Sequence, residues 1–111
     1  NETSAMASAE GEVKNYGYTS TFPLLVNVNG SPVYMMALKD DSGLIKMYAM
    51  VDASDYQKVA TIASDEGFEN LKKKFLALEG TQTIDKDELE TKDITIESVQ
   101  ILAIEDTTKC F

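Results

Sequence analysis

The stretch Val33-Tyr34-Met35-Met36-Ala37-Leu38 is apolar at every position, with Pro32 before it and Lys39-Asp40-Asp41-Ser42-Gly43 after it. Successive side chains of an extended chain point to opposite faces. A short run that is apolar on both faces suits a central strand covered on both sides. A buried helical segment would be equally apolar, but the Pro32 boundary and the Asp-Asp-Ser-Gly turn favour a strand. Alternation assigns Val33, Met35 and Ala37 to one face and Tyr34, Met36 and Leu38 to the other.

The turn after this run has side chains that bond their own backbone and a glycine able to take positive φ. Leu44 to Val51 then reads as the return strand, with Ile45, Met47, Ala49 and Val51 on one face and Leu44, Lys46, Tyr48 and Met50 on the other. Asp52-Ala53-Ser54-Asp55 makes the next turn. Tyr56 to Ala63 alternates in part, with Val59 opposed to Ala60 and Ile62. Four of the five methionines sit in this hairpin (Met35, Met36, Met47, Met50). Core filling explains them more simply than an adaptable binding surface.

Upstream, residues 1–12 are small and polar without useful periodicity, and read as a flexible N-terminal linker ahead of one domain at 13–111. Val13 to Thr21 reads as an edge strand. Phe22 to Val28 is a stronger strand, with Leu24, Val26 and Val28 on one face. Asn29-Gly30 is a favoured hairpin pair, so 22–63 forms a four-stranded antiparallel meander. Downstream, Ser64-Asp65-Glu66 opens a helix capped by Ser64 or Asp65. Phe68, Leu71, Phe75 and Leu78 form its apolar stripe, Lys72, Lys73 and Lys74 suit its C-terminal half, and Gly80 ends it. A charged connector follows, then a strand pattern over Ile94–Ile104 with a bulge near Ser98. The fold class expected is α+β: an antiparallel meander of about five to six strands packed against one main helix.

The chain has 111 residues, a net charge of −9 and an apolar fraction of 43%. One folded domain is expected. Phosphate polymers and anionic membrane surfaces would be repelled, and no run has the length of a membrane span. A lone cysteine, Cys110, makes no internal disulfide; it fits a reducing compartment and equally a surface protein without disulfides. A start at Asn1 leads us to expect a removed leader or a piece of a longer protein.

There is no histidine. That removes the usual general base and any nucleophilic arrangement that depends on one, and with one cysteine it excludes an ordinary structural zinc site. The six glycines are scattered singly, so there is no phosphate-cradling loop. Asp40, Asp41, Asp52 and Asp55 sit in turns without the cleft spacing of a two-carboxylate hydrolase. Asp85, Asp87 and Glu88 are the candidate calcium ligands, although the rest of a calcium loop is missing. Tyr16, Tyr18, Tyr34, Tyr48 and Tyr56 are read as packing residues, since the basic groove of a base-stacking platform is absent. No catalytic residue and no cofactor is expected.

Phe22–Asp40, Gly43–Asp52 and Tyr56–Ala60 together resemble a recurring segment of uncharacterised, membrane-anchored cell-surface proteins of Gram-positive bacteria. The likeness covers about the middle half of the chain and implies an extracytoplasmic location, with any membrane attachment through a segment this chain lacks. A lesser likeness joins Gly30-Ser31-Pro32-Val33-Tyr34 and Val51-Asp52 to PepSY-type domains, which implies a regulatory or inhibitory interaction. In those domains a helix usually precedes the hairpin, whereas the helix expected here follows it. The function expected is a non-enzymatic structural or binding module for a protein or cell-envelope partner. The alternative is a small-ligand or calcium-binding module, and a homodimer through an edge strand is a further expectation.

Overall fold

The structure, a computed structural model, describes residues 1–78. In chain order they form α1 (Glu2–Glu12), β1 (Thr19–Ser20), β2 (Leu24–Val28), β3 (Ser31–Lys39), β4 (Ile45–Asp52), β5 (Asp55–Ala63) and α2 (Phe68–Leu76). The five strands make one antiparallel sheet. β4 flanks β3 on one side, β1 and β2 flank it on the other, and β5 lies beyond β4. β1 and β2 are thus one edge strand, interrupted at residues 21–23. The expected α+β meander is the architecture found.

The apolar run is the centre of the sheet, and every residue of β3 is buried. Its two faces divide as alternation requires. Val33, Met35 and Ala37 join Val26, Val28, Tyr48, Met50, Ala60 and Ile62 beneath Phe68, Leu71 and Phe75 of α2. Tyr34, Met36 and Leu38 join Ala49 and Val51 beneath Ala5, Ala9 and Val13. Met35, Met36 and Met50 are core side chains. Burying Leu71 and Phe75 contributes about 1.5–3 kcal/mol each, which fixes α2 to the sheet.

Turn chemistry sets the register. Asn29 and Gly30 take positive φ (51° and 88°), and Val28 pairs with Ser31, giving the two-residue hairpin expected from Asn-Gly. Gly43 has φ 83°, and the amides of Ser42 and Leu44 donate to Asp40 Oδ1 at 2.9 and 3.1 Å. The β3–β4 register slips where Leu38 pairs with Met47 but Lys39 pairs with Ile45. This bulge moves Ile45 to the α2 side, packed against that core, so Ile45 does not share a face with Met47.

Three local expectations need correction. Residues 1–12, expected as a flexible linker, hold α1. Asn1 caps it by accepting from the Ser4 amide at 2.9 Å, and Ala5 and Ala9 are completely buried. Alanine is the best helix former, and its small side chain allows close approach to the sheet. A stripe of alanines among serine and threonine has too little polarity contrast to read as amphipathic. Among the described residues, two helices therefore cover the sheet, one on each face, where one was expected. Lastly, α2 starts at Phe68 with Gly67 at its N-cap, and neither Ser64 nor Asp65 caps it. Its C-cap is Ala77; Gly80 and the Ile94–Ile104 strand pattern lie outside the described residues.

α1 crosses its face diagonally. The Asn1 amino group donates to the Tyr56 hydroxyl at the start of β5, and the Ser20 amide of β1 donates to Glu10 Oε2 at 2.9 Å. At the edge-strand interruption Thr21 fills the gap. Its amide donates to the Ala37 carbonyl at 2.9 Å, and its Oγ1 accepts from the Ala37 amide at 3.0 Å.

Candidate functional site

The turn carboxylates are occupied in building the fold. Asp40 Oδ1 holds the β3–β4 turn, and Asp40 Oδ2 lies 4.0 Å from Lys46 Nζ in a half-exposed pair of little energetic weight. Asp52 Oδ1 accepts from the Ser54 amide at 2.8 Å and the Ser54 hydroxyl at 2.7 Å. Asp55 Oδ1 accepts from the Gln57 amide at 3.1 Å. Each acid satisfies the backbone of its own turn. Among the described residues, no three His, Cys, Asp or Glu side chains converge as metal ligands. The calcium candidates Asp85, Asp87 and Glu88, and Cys110, lie outside the described residues.

A less ordinary arrangement sits at the β4–β5 turn. Asp52 is completely buried and Lys58 nearly so, yet Asp52 Oδ2 and Lys58 Nζ have no hydrogen-bond partner among the described residues. Alternation from Met50 on β4 and from Ala60 on β5 sends both side chains toward the α2 face. Regular continuation of the Met50–Ala60 pairing would set them opposite each other. The register shift after Val51 pairs Asp52 with Asp55 instead. The phase of Lys58 with Ala60 and Ile62 was readable in the sequence as an inward position, and its lysine identity concealed it. A buried polar atom without a partner is costly.

Outside the core, three of the exposed large apolar side chains belong to segments at or next to the interrupted edge, while a fourth, Leu76, is on α2. Tyr16 is 66% exposed, Phe22 54% and Leu44 60%. Tyr16 stacks on Tyr18, with ring centroids 5.3 Å apart and planes 16° from parallel. Tyr16 lies just before β1 and Phe22 in the gap between β1 and β2. Leu44 belongs to the turn that begins beside β1, since Thr19 pairs with Lys39 and the Asp40 amide donates to the Leu44 carbonyl. Tyr34 and Tyr48 are packing residues as expected, whereas Tyr16 is a surface ring. No periodicity marks Tyr16 or Phe22 as exposed; the turn before β1 puts Tyr16 outside, and the strand interruption does so for Phe22.

Tyr34 is buried beneath α1, and its hydroxyl is held above the usual tyrosine range by burial first, then by Glu2 and Tyr56. Among the described residues, no helix is long and apolar enough to cross a membrane. Comparison with protein-family models, curated proteins and solved structures gave no match.

Proposed function

We propose that this chain is a non-enzymatic, extracytoplasmic domain that binds a protein or cell-envelope partner at the aromatic edge formed by Tyr16, Tyr18 and Phe22. The observation that carries this reading is the exposure of Tyr16, Phe22 and Leu44 along one edge and its adjoining turn. Apolar rings grouped on a surface are a feature of interaction sites. Tyrosine and phenylalanine also supply contact area at low entropic cost. The net charge of −9 turns the choice away from phosphate polymers. The extracytoplasmic location rests on the resemblance to Gram-positive surface proteins.

The test is site-specific photo-cross-linking in producing cells, with a photoreactive phenylalanine at Phe22 and, as control, at the exposed Glu69 on α2. A discrete adduct at 22 in the envelope fraction, absent at 69, is the expected result. Equal labelling at both positions, or none at 22, rejects the edge as the binding surface.

One observation favours a PepSY-like regulatory version of the same reading. α1 precedes the strands and packs on the face of the β3–β4 hairpin, which supplies the preceding helix that the sequence resemblance lacked. A partner enzyme whose activity falls on adding this chain, and recovers with the Phe22→Ser variant, is the corresponding outcome.

A further inference from the structure

Among the described residues the antiparallel sheet has two edges, and it treats them differently. The β1–β2 edge is short, broken at residues 21–23 and carries Pro23. The β5 edge is nine residues long and unbroken by proline. Such an edge is a template for adding another strand. The Ser64 amide donates to the Lys46 carbonyl at 3.0 Å, so Ile62 and Ala60, an even number of residues back, direct their backbone groups at β4. Val59, Thr61 and Ala63 therefore direct theirs outward.

Side chains occupy several of these outward positions. Lys74 of α2 reaches over and donates from Nζ to the Thr61 carbonyl at 2.8 Å. The Ala63 amide donates to Glu66 Oε2 at 3.1 Å. The Gln57 amide is taken by Asp55 as described above. Solvent-exposed residues gain little from such bonds individually. What matters is that Lys74 and Glu66 take groups of Thr61 and Ala63, two successive outward positions of one edge.

We propose that the outer edge of β5 is a latent pairing surface for a second copy of this chain, held closed by Lys74 and Glu66 with Asp55. The occupant follows from symmetry and charge. An antiparallel strand paired with itself about a two-fold axis is self-complementary. With Val59 opposite Thr61 of the second copy, Gln57 falls opposite Ala63 of the second copy. The Thr61 carbonyl must then accept from the Val59 amide of the second copy, and the Ala63 amide must donate to the Gln57 carbonyl there. Those are the two groups that Lys74 and Glu66 occupy. Gln57, Val59, Thr61 and Ala63 carry no charge, so at these four positions two copies of a chain of net charge −9 meet without like-charge opposition; Asp55 and Asp65 of the second copy face each other only outside them.

The test compares the full chain with the Glu66→Ala/Lys74→Ala double variant by size-exclusion chromatography with light scattering, with circular dichroism to confirm folding. At about 100 µM the parent is expected as a monomer and the double variant as at least half dimer. Adding Thr61→Pro to the double variant removes an outward N–H at a position where an edge strand tolerates proline, and is expected to restore the monomer. A folded double variant that stays monomeric overturns the proposal. So does a dimer that survives Thr61→Pro, which places the contact elsewhere, and so does a parent chain already dimeric through β5, which removes the closing role.

Discussion

Replacing Lys58 by methionine should stabilise the domain. Lys58 Nζ is buried without a hydrogen-bond partner among the described residues, and leaving such a group unsatisfied costs about 1–3 kcal/mol. Methionine keeps an unbranched side chain of similar length and fills irregular space, so the stem's packing beside Ala60 is retained. The lost polar atom should outweigh any packing change, for a net gain of about 1.5 kcal/mol. For a domain of this size the urea m-value is about 1 kcal/mol per molar, which converts that gain to a midpoint shift of about 1.5 M upward. Equilibrium urea unfolding followed by circular dichroism reads it directly. The control is Asp52→Ala. It removes the acceptor for both Ser54 bonds as well as the unpartnered Oδ2, and the loss of two bonds to a carboxylate should leave a net destabilisation of about 1–3 kcal/mol. A Lys58→Met variant destabilised by more than about 1 kcal/mol would refute the reasoning, most clearly if the loss vanished in an Asp52→Asn background. That pattern would mean the amine and Asp52 act as a pair in solution.

Other outcomes follow from the packing and the turns. Ala9→Leu puts a large side chain where α1 meets the sheet, and thermal unfolding should show a loss of about 1–3 kcal/mol; an unchanged midpoint would mean α1 does not dock. Phe75→Ala empties the centre of the α2 core and should cost about 3–5 kcal/mol, enough to leave the variant largely unfolded by circular dichroism. Gly43→Ala meets no atom within 4 Å, so its cost is backbone strain at φ 83°, about 1 kcal/mol in urea unfolding. Tyr34 titrates above its ordinary 10.0 in the fold, so between that value and its folded value the native state keeps a proton that the unfolded chain loses. Its contribution is constant below pH 10 and declines as pH rises beyond it; Tyr34→Phe should flatten that alkaline decline in a pH series of urea midpoints.

Much of the sheet was legible because its signals are local. Asn29-Gly30 and the Asp40–Gly43 turn carry their backbone conformations in their residue types. Val33–Leu38 carries its double burial in the absence of any polar position. Ile45 was misplaced because a bulge changes phase without leaving a mark in composition. α1 was missed because alanine and serine differ little in hydropathy, and the helix is held by its fit to the sheet more than by an amphipathic stripe. Of the candidate site, the acids were visible as turn residues. The exposed edge was not, because exposure of Tyr16 and Phe22 depends on which strand lies outside.

What the sequence by itself determined is the order of β2 to β5, their pairing through short turns, and the division of β3 into two buried faces. These follow from backbone sterics and from period-two hydrophobicity, both of which act within a few residues. Only the tertiary structure decided that a helix covers each face, that Asp52 Oδ2 and Lys58 Nζ are buried without partners among the described residues, and that Lys74 and Glu66 reach the outer groups of β5. Those outcomes join residues from separate elements, and burial and hydrogen bonding between them are settled by where the chain packs.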